Sequence, residues 1–258
     1  MSIARRLALL LCFAVVSISS ASAGTLTVAA AADMKFAMAE IAAAFNQCHP
    51  GDKVEVVFGS SGKSFTQIQQ GAPYDMFFSA DIKFPKELIA KGFAQPEPIP
   101  YAVGRLVLWS TDPKVKTMTM QDLLASDIKK IAIANPKHAP YGKRAEEALK
   151  ASGVWDKMES KLVLGEDIVQ TAQFVQTGNA QVGLLALSLA MSPKMSQLGF
   201  YQLLPDSLHE PLNQAFVITN HGKDNPLAKT FADYMQSPAS RTTMVRYGFV
   251  LPGEQLAK

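Results

Sequence analysis

The sequence is poor in cysteine: Cys12 and Cys48 are the only two among 258 residues. Cys12 falls in an apolar N-terminal run, so a chain processed beyond that run keeps one thiol and can form no intramolecular disulfide. No histidine stands in a recognised cysteine-hydrolase context, and His49 is only a chain neighbour of Cys48. A reactive nucleophile is therefore not supported, and a buried or inert thiol is expected. Histidine is scarce as well. His49, His138, His209 and His221 form no i, i+4 pair and have no acidic partner at ligand spacing, which excludes a recognisable zinc motif. There is no G-x-S-x-G elbow, and nothing in the sequence pairs carboxylates in a catalytic arrangement. No basic tract interleaves with aromatics, so nucleic acid is excluded as a partner. After the first twenty residues no hydrophobic segment approaches membrane-spanning length, and a soluble processed chain is expected.

What is present begins with Arg5 and Arg6, the apolar run Leu7–Val16 and the small-residue sequence Ala21-Ser22-Ala23. That is the pattern of a Sec-type signal peptide over residues 1–23, cleaved before Gly24. The run is too short for a permanent anchor, and Cys12 sits inside it after Leu11 rather than at a lipidation site. The expected location is the periplasm. Without Arg5 and Arg6 the chain carries 23 basic residues (25 minus 2) against 22 acidic ones, close to neutrality.

Short β-type runs then alternate with helical patterns, which indicates βα units and parallel sheets. Strands are expected at Thr25–Ala31, Val54–Phe58, Asp75–Ala80, Leu106–Ser110, Ile131–Ala134, around Val163, at Val182–Leu185 and at Gln214–Thr219. Helices are expected at Lys35–Gln47, from the Gly59–Gly62 loop to Gln70, at Pro85–Lys91, at Lys143–Ser152, from Asp167 or Ile168, and as a pair over Asn225–Arg246 split at Pro238. The pattern implies an α/β fold of two lobes: residues 24–103 and 215–258 form the first and residues 104–214 the second. The crossings are expected near Tyr101–Leu108 and Gln214–Thr219. Ligands of open α/β sheets bind beyond the carboxyl ends of the strands, so a cleft between the lobes is the expected site.

Two loops stand out chemically. Gly59-Ser60-Ser61-Gly62 joins a β-branched strand to a helix, where glycines admit an anion and hydroxyls and first-turn amides donate to it. A Gly/Ser turn with a serine cap explains the same residues without a ligand. The following Gly62-Lys63-Ser64 mimics the end of a Walker A loop, but that motif needs glycine where Val57 stands, and a P-loop is excluded. In the second lobe Ala139-Pro140-Tyr141-Gly142 again lies at a strand-to-helix junction. Pro140 keeps Ala139 extended and Gly142 permits close backbone approach; a bare proline turn with a packed tyrosine is the alternative. Asp167-Ile168 reads as a further helix start, with Asp167 the cap.

Several stretches together resemble the periplasmic molybdate-binding proteins of ABC importers. They are Ala30-Ala31-Ala32-Asp33, Phe58-Gly59-Ser60-Ser61-Gly62, Gln70-Gly71-Ala72-Pro73-Tyr74-Asp75 running into Phe77-Phe78-Ser79-Ala80-Asp81, Asn135-Pro136 through Gly142, Gly165-Glu166-Asp167-Ile168 and Arg246-Tyr247-Gly248-Phe249. The resemblance implies a type II periplasmic binding protein fold, with parallel-type sheets flanked by helices and a ligand cleft between lobes. It implies high-affinity capture of molybdate, and of tungstate of nearly equal size, for delivery to an ABC importer permease in the inner membrane. It also implies a monomer that needs no cofactor and does no catalysis, with molybdenum present only inside the bound oxyanion. The implied ligand contacts are Ala32 and Asp33 after the first strand, hydroxyl and amide of Ser61, Tyr141, and the amide of Ile168. Some relatives add a tyrosine after the Val182–Leu185 strand; here Ala186 stands near that place, and the Tyr141 hydroxyl is expected to substitute.

Asp33 departs from the pattern, because many relatives carry a neutral group there and a carboxylate repels a dianion. Three accounts are open. The side chain turns away to cap a helix and only the amide binds, the favoured account; Lys35 or Lys63 neutralises it; or the ligand carries a proton that Asp33 accepts. The last would favour phosphate, which is protonated near neutral pH, over molybdate, which is not. Another oxyanion such as phosphate or chromate, or a periplasmic enzyme on the same fold, are the competing functions.

Overall fold

The computed structural model describes residues 24–254; the expected signal segment, residues 1–23, lies outside them. The chain opens with β1 (Thr25–Ala31), a short 3-10 turn over Ala32–Met34, and α1 (Lys35–Cys48). It continues through β2 (Lys53–Gly59), α2 (Ser61–Gln69), β3 (Met76–Ser79), α3 (Lys83–Ala90) and β4 (Ile99–Gly104). β5 (Leu106–Ser110) starts the second series: β6 (Ile131–Ala134), α4 (Pro140–Ala151), α5 (Trp155–Met158), β7 (Leu162–Gly165), α6 (Ile168–Gln176), β8 (Val182–Ala186), α7 (Leu187–Ala190), α8 (Pro193–Leu198) and β9 (Phe200–Leu203). β10 (Leu212–Ile218), α9 (Pro226–Met235) and α10 (Pro238–Arg246) complete it.

Two five-stranded sheets result, ordered β2-β1-β3-β10-β4 and β7-β6-β8-β5-β9. They repeat one plan. The first βα strand lies parallel between two others, β1 between β2 and β3 and β6 between β7 and β8. A strand arriving from the other half of the chain then adds antiparallel, β10 beside β3 and β5 beside β8. The sheets are thus mixed rather than all parallel, because each receives a strand that returns instead of crossing over a helix. The chain passes between sheets at Gly104-Arg105 and again over residues 204–211, earlier than expected, since β10 pairs with β4 from Leu212 onward. Gly104 is required there: a methyl on it would overlap the Tyr141 hydroxyl and lie 2.6 Å from Gln214 Nε2.

Local sequence explains the helix starts. Asn225, Ser237 and Ser192 each cap a first-turn amide ahead of a proline, so α9, α10 and α8 begin where an N-terminal proline loses no hydrogen bond. In the first lobe α1, α9 and α10 cover one face of the sheet through Phe45, Phe231, Met38 and Met244, over Phe78 and Phe216. The second lobe packs around Trp109, Leu108, Ile133 and Leu184, and its core runs on across the seam to Ala31, Ala32 and Ala80 of the first. Cys48 is exposed, not buried, because it closes α1 at the helix end. Among the described residues no helix is long and apolar enough to cross a membrane.

Phe78 is fully buried in β3, stacked on Phe216 at 4.6 Å and tilted against Tyr101 at 5.5 Å. Phe78→Ala is expected to lower stability by about 3–5 kcal/mol, through lost burial plus the cavity left behind. Urea unfolding followed by circular dichroism reads that as a lower midpoint; an unchanged midpoint would show that the first-lobe core does not depend on this ring.

Candidate functional site

The carboxyl ends of the parallel strands in both sheets face one another, and the loops beyond them meet at a small cavity of about 10 Å³. That is below the roughly 300–1,000 Å³ of pockets for drug-sized molecules. All five residues expected at the site, Ala32, Asp33, Ser61, Tyr141 and Ile168, line it, with Ser60, Pro140 and Asp167 among their neighbours. No lysine or arginine does. A larger depression, lined by Ser110, Asp112, Asp122 and Gln181, lies at the opposite end of β5 and β8 and takes in none of the five.

Three helix starts converge on the cavity, α2 from the first lobe and α4 and α6 from the second. First-turn amides have no acceptor within their own helix, and each start carries partial positive charge. Most of these amides are taken. Gly62 N donates across the seam to the His138 carbonyl at 2.9 Å, while Lys63 N and Ser64 N donate to Ser60 O. Val169 N and Gln170 N donate to the Asp167 carboxylate at 2.8 and 2.9 Å, so Asp167 is a cap, as expected. Lys143 N donates to Ala139 O, and Pro140 has no N–H. The first-turn amides of Ser61, Tyr141, Gly142 and Ile168 have no partner among the described residues, and of these Ser61, Tyr141 and Ile168 line the cavity. The Ser61 hydroxyl accepts from Ala80 N at 3.0 Å, which keeps its own proton free to donate.

Asp33 shows neither the helix capping nor the lysine neutralisation that two of the three accounts invoke. It caps neither the 3-10 turn nor α1. Lys63 does not neutralise it, being paired with Glu166 of the other lobe at the cavity mouth, and among the described residues Lys35 makes no ion pair with it. Instead the carboxylate is 1 % exposed and accepts two hydrogen bonds on Oδ2, from Gln214 Nε2 at 2.7 Å and from the Tyr141 hydroxyl at 3.1 Å. Among the described residues Oδ1 has no hydrogen-bond partner. Burial pushes the Asp33 pKa up from 3.8 to about 6, with the bonds from Gln214 and Tyr141 and the nearby backbone amides of Asp33 and Met34 opposing the rise. The same burial, reinforced by the Asp33 charge, holds the Tyr101 and Tyr141 hydroxyls well above the usual tyrosine range, so both remain neutral donors.

The Tyr141 hydroxyl, expected to stand in for a missing ligand contact, is thus engaged with Asp33, and what Tyr141 offers the cavity is its amide. Gln214 is the residue that sequence reasoning missed. Wholly buried at the bulge in β10, it donates to Asp33 and accepts from Tyr101 at 2.7 Å. A lone amide in the apolar run Ala215-Phe216-Val217-Ile218 was the available signal, since a buried amide must find partners. Ser188, just beyond Ala186, donates to the Asp33 carbonyl at 2.8 Å. Two further contacts tie the lobes: Ser60 Oγ with His138 Nδ1 at 2.9 Å, and buried Arg144, which also donates to Glu147 of its own helix at 2.7 Å, donating to Asp81 at 3.2 Å.

Among known proteins, the model of the family described as bacterial extracellular solute-binding protein matches residues 26–250. The molybdate-binding protein ModA of Rhodobacter capsulatus is 38% identical over 231 residues, 89% of this chain and 90% of its own. That of Azotobacter vinelandii is 39% identical over 233 residues, 90% and 92% respectively. The solved structure of the Azotobacter vinelandii periplasmic molybdate-binding protein superposes with a TM-score of 0.83 at 33% identity, covering 88% of this chain and 99% of that one.

A carboxyl at about 6 against an ordinary 3.8 binds its proton more tightly folded than unfolded. Its stabilising contribution is therefore full below pH 3.8 and lost as pH rises through 6, a loss of up to roughly 3 kcal/mol by neutral pH. Asp33→Asn can keep both bonds on its oxygen while removing the charge. It is expected to raise the thermal midpoint at pH 7.5 and to matter much less at pH 4.5; an equal shift at both pH values would show that the buried charge is not the cause.

Proposed function

The chain belongs to the bacterial extracellular solute-binding proteins, and from that premise we propose that it captures molybdate, and tungstate of nearly the same size, in the periplasm for an ABC importer. The permease in the inner membrane is its implied receiver, and the chain acts as a monomer. The observation that carries this reading is the meeting of three helix starts, those of α2, α4 and α6, at one small cavity that, among the described residues, no lysine or arginine lines. Oriented amides hold a dianion without a counter-charge, because helix N-termini are partially positive and a closed site excludes competing water. Relatives named for molybdate binding, near 40% identity over nine-tenths of the chain, support the choice of anion.

The proposed contacts are the amides of Ala32, Asp33, Tyr141 and Ile168 with the hydroxyl and amide of Ser61. The proposed lobes are residues 24–103 with 215–258 and residues 104–214, with the start of β10 drawing the return point back to Leu212. Closure rotates one lobe onto the other, and the contacts Lys63–Glu166, Ser60–His138 and Arg144–Asp81 span the two.

One observation favours the enzyme alternative: Ser60 Oγ lies 2.9 Å from His138 Nδ1, as a nucleophile and base would. The pair lacks its orienting acid. Glu166 is 4.0 Å from His138 Nε2 and is engaged with Lys63, so no third group fixes the imidazole. Binding without turnover is the proposed activity.

Isothermal titration calorimetry at neutral pH is expected to give tight one-to-one binding of molybdate and tungstate, with sulfate and phosphate far weaker. Ser61→Ala is expected to weaken molybdate binding roughly tenfold to a hundredfold, the worth of one hydrogen bond to a charged group, and to lower the thermal midpoint without unfolding the chain, because Ala80 N loses its acceptor. Phosphate binding with molybdate silent would assign the site to another oxyanion, and hydrolysis of an ester by the purified chain would favour the enzyme.

A further inference from the structure

We infer that Asp33 enters the ligand complex as a neutral carboxylic acid whose Oδ1–H donates to the oxyanion, so that each dianion is bound together with one proton taken from solvent. The inference rests on the proposed oxyanion site and concerns what that site does with its own buried charge.

Geometry carries it. Asp33 lines the cavity, is 1 % exposed, and has one oxygen saturated and one without a partner. Oδ2 receives both available donors, the Gln214 amide from β10 and the Tyr141 hydroxyl from α4. Neither bond is lost on protonation at Oδ1, because the other carboxyl oxygen still accepts in the acid, though more weakly than in the carboxylate. Protonation at Oδ1 therefore breaks neither of these bonds, and it turns an acceptor without a hydrogen-bond partner among the described residues into a donor at the cavity. The ionised alternative places a carboxylate beside a dianion with no cation to separate them.

The groups around Asp33 offer no other neutralisation. From β4 and α4 it meets only Tyr101 and Tyr141, both held neutral; from β10 and α7, Gln214 and Ser188 carry no charge. At the cavity rim Asp167 is spent on capping α6, and Lys63 and Glu166 neutralise one another. Arg144, one turn along α4 from Tyr141, is engaged by Asp81, Glu147 and Glu210. The remaining titratable neighbour is His138, whose pKa burial lowers, and it is the competing candidate for the proton.

With no ligand the carboxyl titrates near pH 6, so at pH 7 about one site in ten already holds the proton, and binding takes up about 0.9 proton per molybdate. Molybdate is the right probe because it carries no proton of its own near neutral pH. Affinity is full below the ligand-free pKa and falls as pH rises above it, by about 50-fold between pH 6 and pH 8.

The test is calorimetry of the full processed chain with sodium molybdate at pH 7, in buffers of different ionisation enthalpy, whose slope reads protons taken up directly. The wild type is expected to take up close to one proton. Asp33→Asn is expected to take up none and to bind with an affinity flat between pH 6 and pH 8. Molybdate binding by the wild type without proton uptake overturns the inference while leaving the proposed function standing. Uptake that survives Asp33→Asn but vanishes in His138→Gln overturns it in favour of the imidazole. No molybdate binding at any pH overturns the proposed function, and this inference with it.

Discussion

The carboxylate of Asp33 is buried where the two lobes meet, and no cation accompanies it. That single constraint organises the seam. A buried charge left alone is expensive, so its surroundings supply what donors they can: the Gln214 amide, itself held by Tyr101, and the Tyr141 hydroxyl from the opposite lobe. Gly104 must be glycine because Tyr141 and Gln214 come to Asp33 over its Cα. The crossing strand, the returning strand and the first helix of the second lobe are all placed by one side chain.

The proposed anion cage sits beside this charge and follows the opposite rule, stabilising negative charge with dipoles alone. Helix starts work here because their amides are fixed before any ligand arrives and need no reorganisation to receive it. Capping sets how many amides remain: Asp167 consumes two at α6, and the His138 carbonyl consumes one at α2. What is left is a short list of donors from both lobes, which a small tetrahedral guest can satisfy only when the lobes are together.

How much of this was legible depended on how far apart in the chain the deciding residues lie. β1 was read to its ends because Thr25–Ala31 is a run of strand-forming and small apolar residues closed by a helix signal. The break between α9 and α10 was readable because Pro238 marks it. β4 escaped notice because Pro98 and Pro100 disguise an edge strand as a linker, and the mixed character of the sheets is set by where β10 returns, not by any local pattern. Glycines, serines and helix starts singled out the loops of Ser61, Tyr141 and Ile168, and the resemblance to molybdate-binding proteins added Ala32 and Asp33; all five line the cavity. The state of Asp33 was out of reach: its partners are 108 and 181 residues away, and a local rule assigned it a capping role that the fold does not give it.

The most direct test of the account is anomalous diffraction from crystals of the processed chain grown with molybdate. The account predicts a single molybdenum peak between Ser61 and Ile168, with the anion's oxygens within hydrogen-bond reach of the amides of Ser61, Tyr141 and Ile168 and of Asp33 Oδ1. A peak elsewhere on the molecule, or an oxyanion held by lysine or arginine side chains, would contradict it.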